Sequence, residues 1–105
     1  MKVYSVEFTQ DAREDFKRLL YVIAAKYKAP LTAKKYTTEL IAEINNLTCY
    51  AESIPECNQT SIIKKYGINI RRVNYKKMAI IYTVIYELIV IEAIIPQAII
   101  YELTD

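Results

Sequence analysis

Histidine and tryptophan are both missing from these 105 residues, glycine occurs once and proline three times. Without histidine, any general acid or base working near neutral pH has to be a shifted Glu, Asp, Lys or Tyr. An ordinary zinc site is excluded on the same ground, and no metal or cofactor is expected. Cys49 and Cys57 are the only thiols. They read as free thiols of a reducing compartment, and a disulfide between them is not needed. No apolar run follows Met1, so no signal peptide is expected and the cytoplasm is the default location. Little glycine and 53% hydrophobic residues fit a compact globule with short loops. Residues 1–105 are enough for one core and read as a single domain.

What is there is organised around residues 67–95, three β-rich runs separated by two short polar breaks. Ile68 opens the first run, which carries Arg71 and Arg72. In the second, Met78, Ile80, Tyr82, Val84 and Tyr86 fall on one face and Ala79, Ile81, Thr83 and Ile85 on the other. A strand apolar on both faces is a central strand covered on both sides. The third run, residues 89–95, repeats the pattern with one polar interruption at Glu92. Lys76-Lys77 and Glu87-Leu88 are breaks of hairpin length, although neither holds the favoured Asn-Gly or Asp-Gly. A membrane span over residues 78–100 is disfavoured by Glu87 and Glu92 near its middle, each costing roughly 2.5–3.5 kcal/mol at a bilayer centre.

Upstream, residues 3–8 alternate as a short strand with Tyr4, Val6 and Phe8 on the core face. Thr9 offers an N-cap and Asp11 a negative charge in the first helical turn. Ala12, Phe16, Leu19, Leu20, Ile23 and Tyr27 then form one helical stripe that ends near Lys28, before Pro30. A second helix is expected from Thr32 as N-cap, with Leu31 and Tyr36 as a hydrophobic staple. Its stripe is Ala33, Tyr36, Leu40, Ile44 and Leu47. Residues 49–60 read as the longest loop and residues 61–66 as an extended segment. The order is β-α-α-β-β-β, an α+β fold with a helical hairpin packed on a small antiparallel sheet.

Net charge is only +2, but Lys64, Lys65, Arg71, Arg72, Lys76 and Lys77 cluster within 14 residues with Tyr66 and Tyr75 between them. They form a candidate patch for an anionic ligand. The plainer reading is a solvated sheet edge and hairpin tip, where lysines also discourage edge pairing. Either arginine would then serve structure by pairing with Glu7 or Glu92 across the sheet. After Pro96 the tail holds Ile99, Ile100, Tyr101 and Leu103, too apolar for a free terminus. These four read as an added edge strand or as a partner surface.

The motifs Y-S-V-E-F-T-Q-D-A-R-E-D-F, A-P-L-T-A-K-K-Y-T-T-E-L-I-A-E-I-N-N-L, I-R-R-V, M-A-I-I-Y-T-V and L-I-V-I-E-A-I-I, in this order and spacing, resemble the RelE/ParE superfamily of toxins from bacterial type II toxin-antitoxin systems, including plasmid-stabilisation toxins. The resemblance covers nearly the whole chain. It implies one of two activities. RelE-like members are ribosome-dependent endoribonucleases that cut messenger RNA with a sparse Lys, Arg and Tyr set. One arginine of that set corresponds here to Ala79, and another falls within residues 96–99, where none stands. Arg71, Arg72, Tyr75, Lys76, Lys77 and Tyr101 remain as candidate RNA contacts. ParE-like members inhibit DNA gyrase without being enzymes, and the resemblance favours that branch. A degenerate toxin fold kept as an interaction module is a third reading. The resemblance also implies a cognate antitoxin, places no part of the chain in a membrane, and leaves a homodimer open.

Overall fold

The computed structural model describes residues 3–28 and 30–96. Its elements are β1 (Ser5–Phe8), α1 (Gln10–Tyr27), α2 (Pro30–Tyr50), a 3-10 turn (Ala51–Ser53), α3 (Thr60–Tyr66), β2 (Ile70–Tyr75), β3 (Met78–Ile85) and β4 (Leu88–Pro96). The sheet order is β1-β4-β3-β2. β2, β3 and β4 form the expected antiparallel meander, and β1 joins β4 in parallel, with Ser5 opposite Leu88 and Phe8 opposite Ile91. The sheet is therefore mixed. A chain that crosses two helices before returning has no hairpin to force β1 antiparallel.

Thr9 is the N-cap of α1, accepting from the amide of Ala12 at 3.1 Å, and Asp11 lies in the first turn. Lys28 closes the helix in the left-handed conformation. Ala12, Ile23, Ala33, Leu40, Ile44 and Leu47 are buried as their stripes require, whereas Leu20 is exposed. α2 begins at Pro30, two residues before the expected cap, because a proline's fixed φ and missing N–H suit the first turn. The staple is absent: Leu31 is exposed.

Both faces of β3 are buried, against different layers. Met78, Ile80 and Tyr82 join Leu40, Ile44, Leu47 and Ala12 beneath the helical hairpin. Ala79 and Ile81 join Ile70, Ala93 and Ile62 of α3 on the opposite face. Residues 61–66 are thus not an extended segment but the middle of a short helix. Ile62 supplies the cover that the second face needs, and Gly67, at φ 98°, donates to the Ile63 carbonyl and ends the helix. The expected loop at residues 49–60 shortens accordingly, since α2 runs through Tyr50.

Glu92 is the extra residue of a β-bulge: Ile81 pairs with Ala93 while Tyr82 pairs with Ile91. The bulge changes the phase of β4. Ile89, Ile91 and Ile94 consequently reach the hairpin core while Ala93 reaches the other. This is the physical content of the polar interruption in the sequence.

β1 is too short to cover all of β4, and α1 closes what remains. The Thr9 hydroxyl donates to the Glu92 carbonyl at 3.2 Å, and Asp15 Oδ2 accepts from the Ile94 amide at 3.0 Å. Pro96 has no amide to offer. No helix among the described residues is long and apolar enough to cross a membrane, and the described part of the run that suggested one, residues 78–96, holds β3 and β4.

Candidate functional site

The cationic cluster of the sequence is divided by the pleat. Arg71 opposes Tyr82 and so points to the helical side. Its guanidinium donates to the Glu52 carbonyl at 3.1 Å and to the Ile54 carbonyl, and lies 4.0 Å from the Glu56 carboxylate. Arg72 opposes Ile81 on the α3 side, where it donates to Asn74 Oδ1 at 3.0 Å and to Gln59 Oε1 at 3.4 Å. Neither arginine makes the expected pairing with Glu7 or Glu92. Arg71 instead ties the segment after α2 to the sheet, because the 3-10 turn aims its carbonyls at that edge.

Lys64 and Lys65 are exposed on α3, with Lys65 Nζ 5.6 Å from the centre of the Tyr66 ring. Lys76 and Lys77 form the β2–β3 turn, of which only Lys76 has a positive φ. The sequence patch is therefore not one surface. Ile99, Ile100, Tyr101 and Leu103 lie outside the described residues.

A site not foreseen from sequence is built where α2 meets this turn. Glu39 Oε2 accepts from the Tyr75 hydroxyl at 3.2 Å and from Lys76 Nζ at 3.3 Å. Lys76 Nζ sits 5.1 Å from the Tyr36 ring centre and 5.4 Å from that of Tyr75. The two rings meet edge to face at 6.0 Å, a geometry their quadrupoles favour. The Lys76 hydrogen bond, then that of Tyr75, lowers the Glu39 carboxyl below its ordinary pKa, and Glu39 in turn raises Lys76. The signal available was Tyr36 and Glu39 at i, i+3 on one edge of α2.

Tyr82, buried in the core, donates to the Ala51 carbonyl at 2.8 Å. Burial pushes its pKa up to about 12, and burial followed by the bond to Glu43 does the same for Tyr50. Both phenols keep their protons at neutral pH. Ala79, the position that the resemblance aligns with a RelE-type arginine, is fully buried.

Two apolar grooves flank α1. One, of about 380 Å³, is lined by Phe8, Arg13, Phe16, Lys17 and Ile41. The other, of about 480 Å³, lies between the second half of α1, the start of α2, the Lys76-Lys77 turn and Pro96. Each has an apolar floor and a cationic rim.

The sequence profile of the family described as "ParE toxin of type II toxin-antitoxin system, parDE" matches residues 6–101. The chain belongs to the ParE toxin family. No curated protein matches it in sequence. Among solved structures, a chain of the chromosomal ParDE toxin-antitoxin system from P. aeruginosa is similar, with TM-score 0.70, 14% identity, and 90% of this chain and 96% of that one covered. A chain of the RelBE2 toxin-antitoxin complex from Mycobacterium tuberculosis is similar at TM-score 0.58 and 13% identity, covering 90% of this chain and 98% of that one. At such identities the likeness is one of fold. ParE membership makes this chain the toxin of a type II system.

Proposed function

We propose that this ParE-family toxin acts in the cytoplasm as a binding inhibitor of DNA gyrase, without catalysing a reaction, and is neutralised by a cognate antitoxin. The observation that carries this reading is how the candidate catalytic groups are engaged. Arg71 is spent on the Glu52 and Ile54 carbonyls, and Tyr75 with Lys76 on Glu39. Groups held in structural hydrogen bonds are poorly placed to move protons or cradle a scissile phosphate. The exposed Lys64, Lys65 and Lys77 and the half-buried Arg72, dispersed over two sides of the sheet, suit contact with an acidic protein surface.

The antitoxin reading is supported by the solved relatives, which come from toxin-antitoxin systems. The groove at Phe8, Phe16 and Ile41, with Arg13 and Lys17 at its rim, suits the apolar face of an amphipathic helix with acidic flanks.

The Tyr75, Lys76 and Glu39 trio favours one alternative, a RelE-like ribosome-dependent endoribonuclease. It sets an ionised carboxylate, a cation and a phenol together, the first two lining a hollow with Thr32, Lys35 and Tyr36. Inducible expression in a bacterial host, reading growth, DNA supercoiling and message integrity together, separates the two. Arrest with relaxed or broken DNA and intact message is expected. Arrest with cleaved message, abolished by Tyr75→Phe or Glu39→Gln, would replace the gyrase reading with the ribonuclease. Healthy growth would leave an interaction module with the toxin fold.

A further inference from the structure

Both turns of the meander put their first residue in the left-handed region, Lys76 at φ 53° and Tyr86 at φ 54°. At Lys76 the surroundings account for this, since Glu39 and the rings of Tyr36 and Tyr75 hold its ammonium. At Tyr86 they do not. The residue is 85% exposed, and among the described residues none hydrogen-bonds to its side chain or stacks on its ring. A bulky side chain at this φ is strained where Asn or Gly would rest at ease. A tyrosine that breaks the local rule and gains no contact among the described residues points to a contact outside its own chain.

The neighbours of Tyr86 give the tip its chemistry. Ile85, just before it, is 53% exposed. Ser5 pairs with Leu88, and its amide donates to the Glu87 carbonyl at 2.9 Å, which brings Val3, 82% exposed, to the same end of the sheet. Glu87 completes the turn; it is exposed, and its carboxylate has no hydrogen-bond or ion-pair partner among the described residues. The tip is thus an aromatic ring and aliphatic side chains beside one free negative charge.

Its complement is an apolar recess with a cationic rim, and the chain itself carries one at Phe8, Phe16 and Ile41. Ile41 is exposed and both phenylalanines are half-buried. Arg13 and Lys17 at the rim are exposed, and among the described residues neither has a hydrogen-bond or ion-pair partner. Its volume of about 380 Å³ is ample, since an apolar cavity of about 150 Å³ already takes benzene. Ser5 marks the level of the turn and Phe8 that of the groove, roughly 10 Å apart along β1. A two-residue turn does not bend back across that distance. We propose that the β3–β4 turn of one copy seats Tyr86 and Ile85 in this groove of a second copy, with Glu87 against Arg13 and Lys17. So small a contact falls below the roughly 800 Å² per partner of a standard interface, and association is micromolar or weaker. The inference does not depend on whether gyrase or message is the target. An antitoxin helix in the same groove would exclude the tip.

Sedimentation velocity of the purified full chain should show association that rises with concentration over about 1–100 μM. Tyr86→Asn, which tolerates the left-handed region, should stay monomeric across that range while unfolding at the wild-type urea midpoint or above it. Arg13→Glu combined with Lys17→Glu should stay monomeric as well. Mixed in equal amounts, the two variants should associate again, because the groove of the first receives the tip of the second. A wild-type chain that stays monomeric, a Tyr86→Asn chain that associates as the wild type does, or a mixture that stays monomeric would each overturn the proposal. In the first case, growth arrest lost in Tyr86→Asn would assign the tip to the cellular target instead.

Discussion

Arg71→Ala is the substitution that best separates a structural from a functional arginine. The wild-type guanidinium makes two charge-assisted hydrogen bonds to carbonyls of the segment after α2. Such bonds contribute about 1.5–3 kcal/mol each when shielded. One of these two is exposed and the other half-buried, so a joint loss of about 2–3 kcal/mol is expected. The contact with Glu56, at 4.0 Å and half in solvent, adds less than about 0.5 kcal/mol. With a urea m-value of about 1–1.5 kcal/mol/M for a chain of this size, the unfolding midpoint should fall by about 2 M. Arg72→Ala, which loses one exposed bond to Asn74 and one long, half-buried bond to Gln59 at 3.4 Å, should cost less, about 0.5–1 kcal/mol. Arg71→Lys should recover part of the loss, because an ammonium keeps the charge but not the planar fork. Urea unfolding followed by circular dichroism reads all three. Equal midpoints for Arg71→Ala and Arg72→Ala, with growth arrest lost only in the former, would refute the structural assignment and return Arg71 to the contact surface.

Three further outcomes follow from polar groups at the core and its margin. Tyr82→Phe leaves the Ala51 carbonyl unpaired in the core and should cost about 1–2 kcal/mol. Tyr50 and Tyr82 are raised to about 12 from 10, so the unfolded chain releases their protons from pH 10 and the folded chain only near 12. Stability should hold below pH 10 and decline between 10 and 12, and the decline should be shallower in Tyr82→Phe when melting temperature is followed against pH. Asp15→Ala deprives the Ile94 amide of its acceptor at a cost of about 1–2 kcal/mol. Amide exchange at Ile94 should accelerate there, while Asp15→Asn, which keeps a carbonyl oxygen, should retain much of the protection.

The meander and the hairpin were legible in the sequence for a physical reason. Residues 78–85 are apolar at both parities, which only a covered strand tolerates, and the stripes of α1 and α2 repeat at helical spacing. α3 was not legible. Its two β-branched isoleucines read as strand, and its seven residues are too few for a periodicity to outweigh them. What makes it a helix is tertiary: Ile62 fills the space over Ile70, Ala79 and Ile81. The start of α2 was misplaced because Thr32 looked like a cap, while Pro30 already supplied the first turn.

At the candidate site, the lysines and Tyr75 were visible as a cluster, but pleat parity sends Arg71 and Arg72 to opposite faces. The bulge at Glu92 shows how one residue resets that parity on a neighbouring strand. Glu39 was invisible as a partner. It stands 37 positions before Lys76 in the chain, and nothing local in the sequence links them.

The parallel pairing of β1 with β4 has a consequence for how the protein comes into being. Thr9 and Glu92 are 83 positions apart, yet one holds the edge of the strand that contains the other. β4 is also the element on which β1, β3 and α1 all pack. A chain emerging from synthesis therefore carries β1 and α1 without β4 until residues 88–96 arrive. Closing so distant a contact is slow in entropic terms, and it is all or none with respect to β4. An interrupted or proteolysed chain lacking residues 88–96 has no centre to assemble around. For a toxin this is a safeguard on the producing cell: only a chain that includes residues 88–96 can acquire the fold.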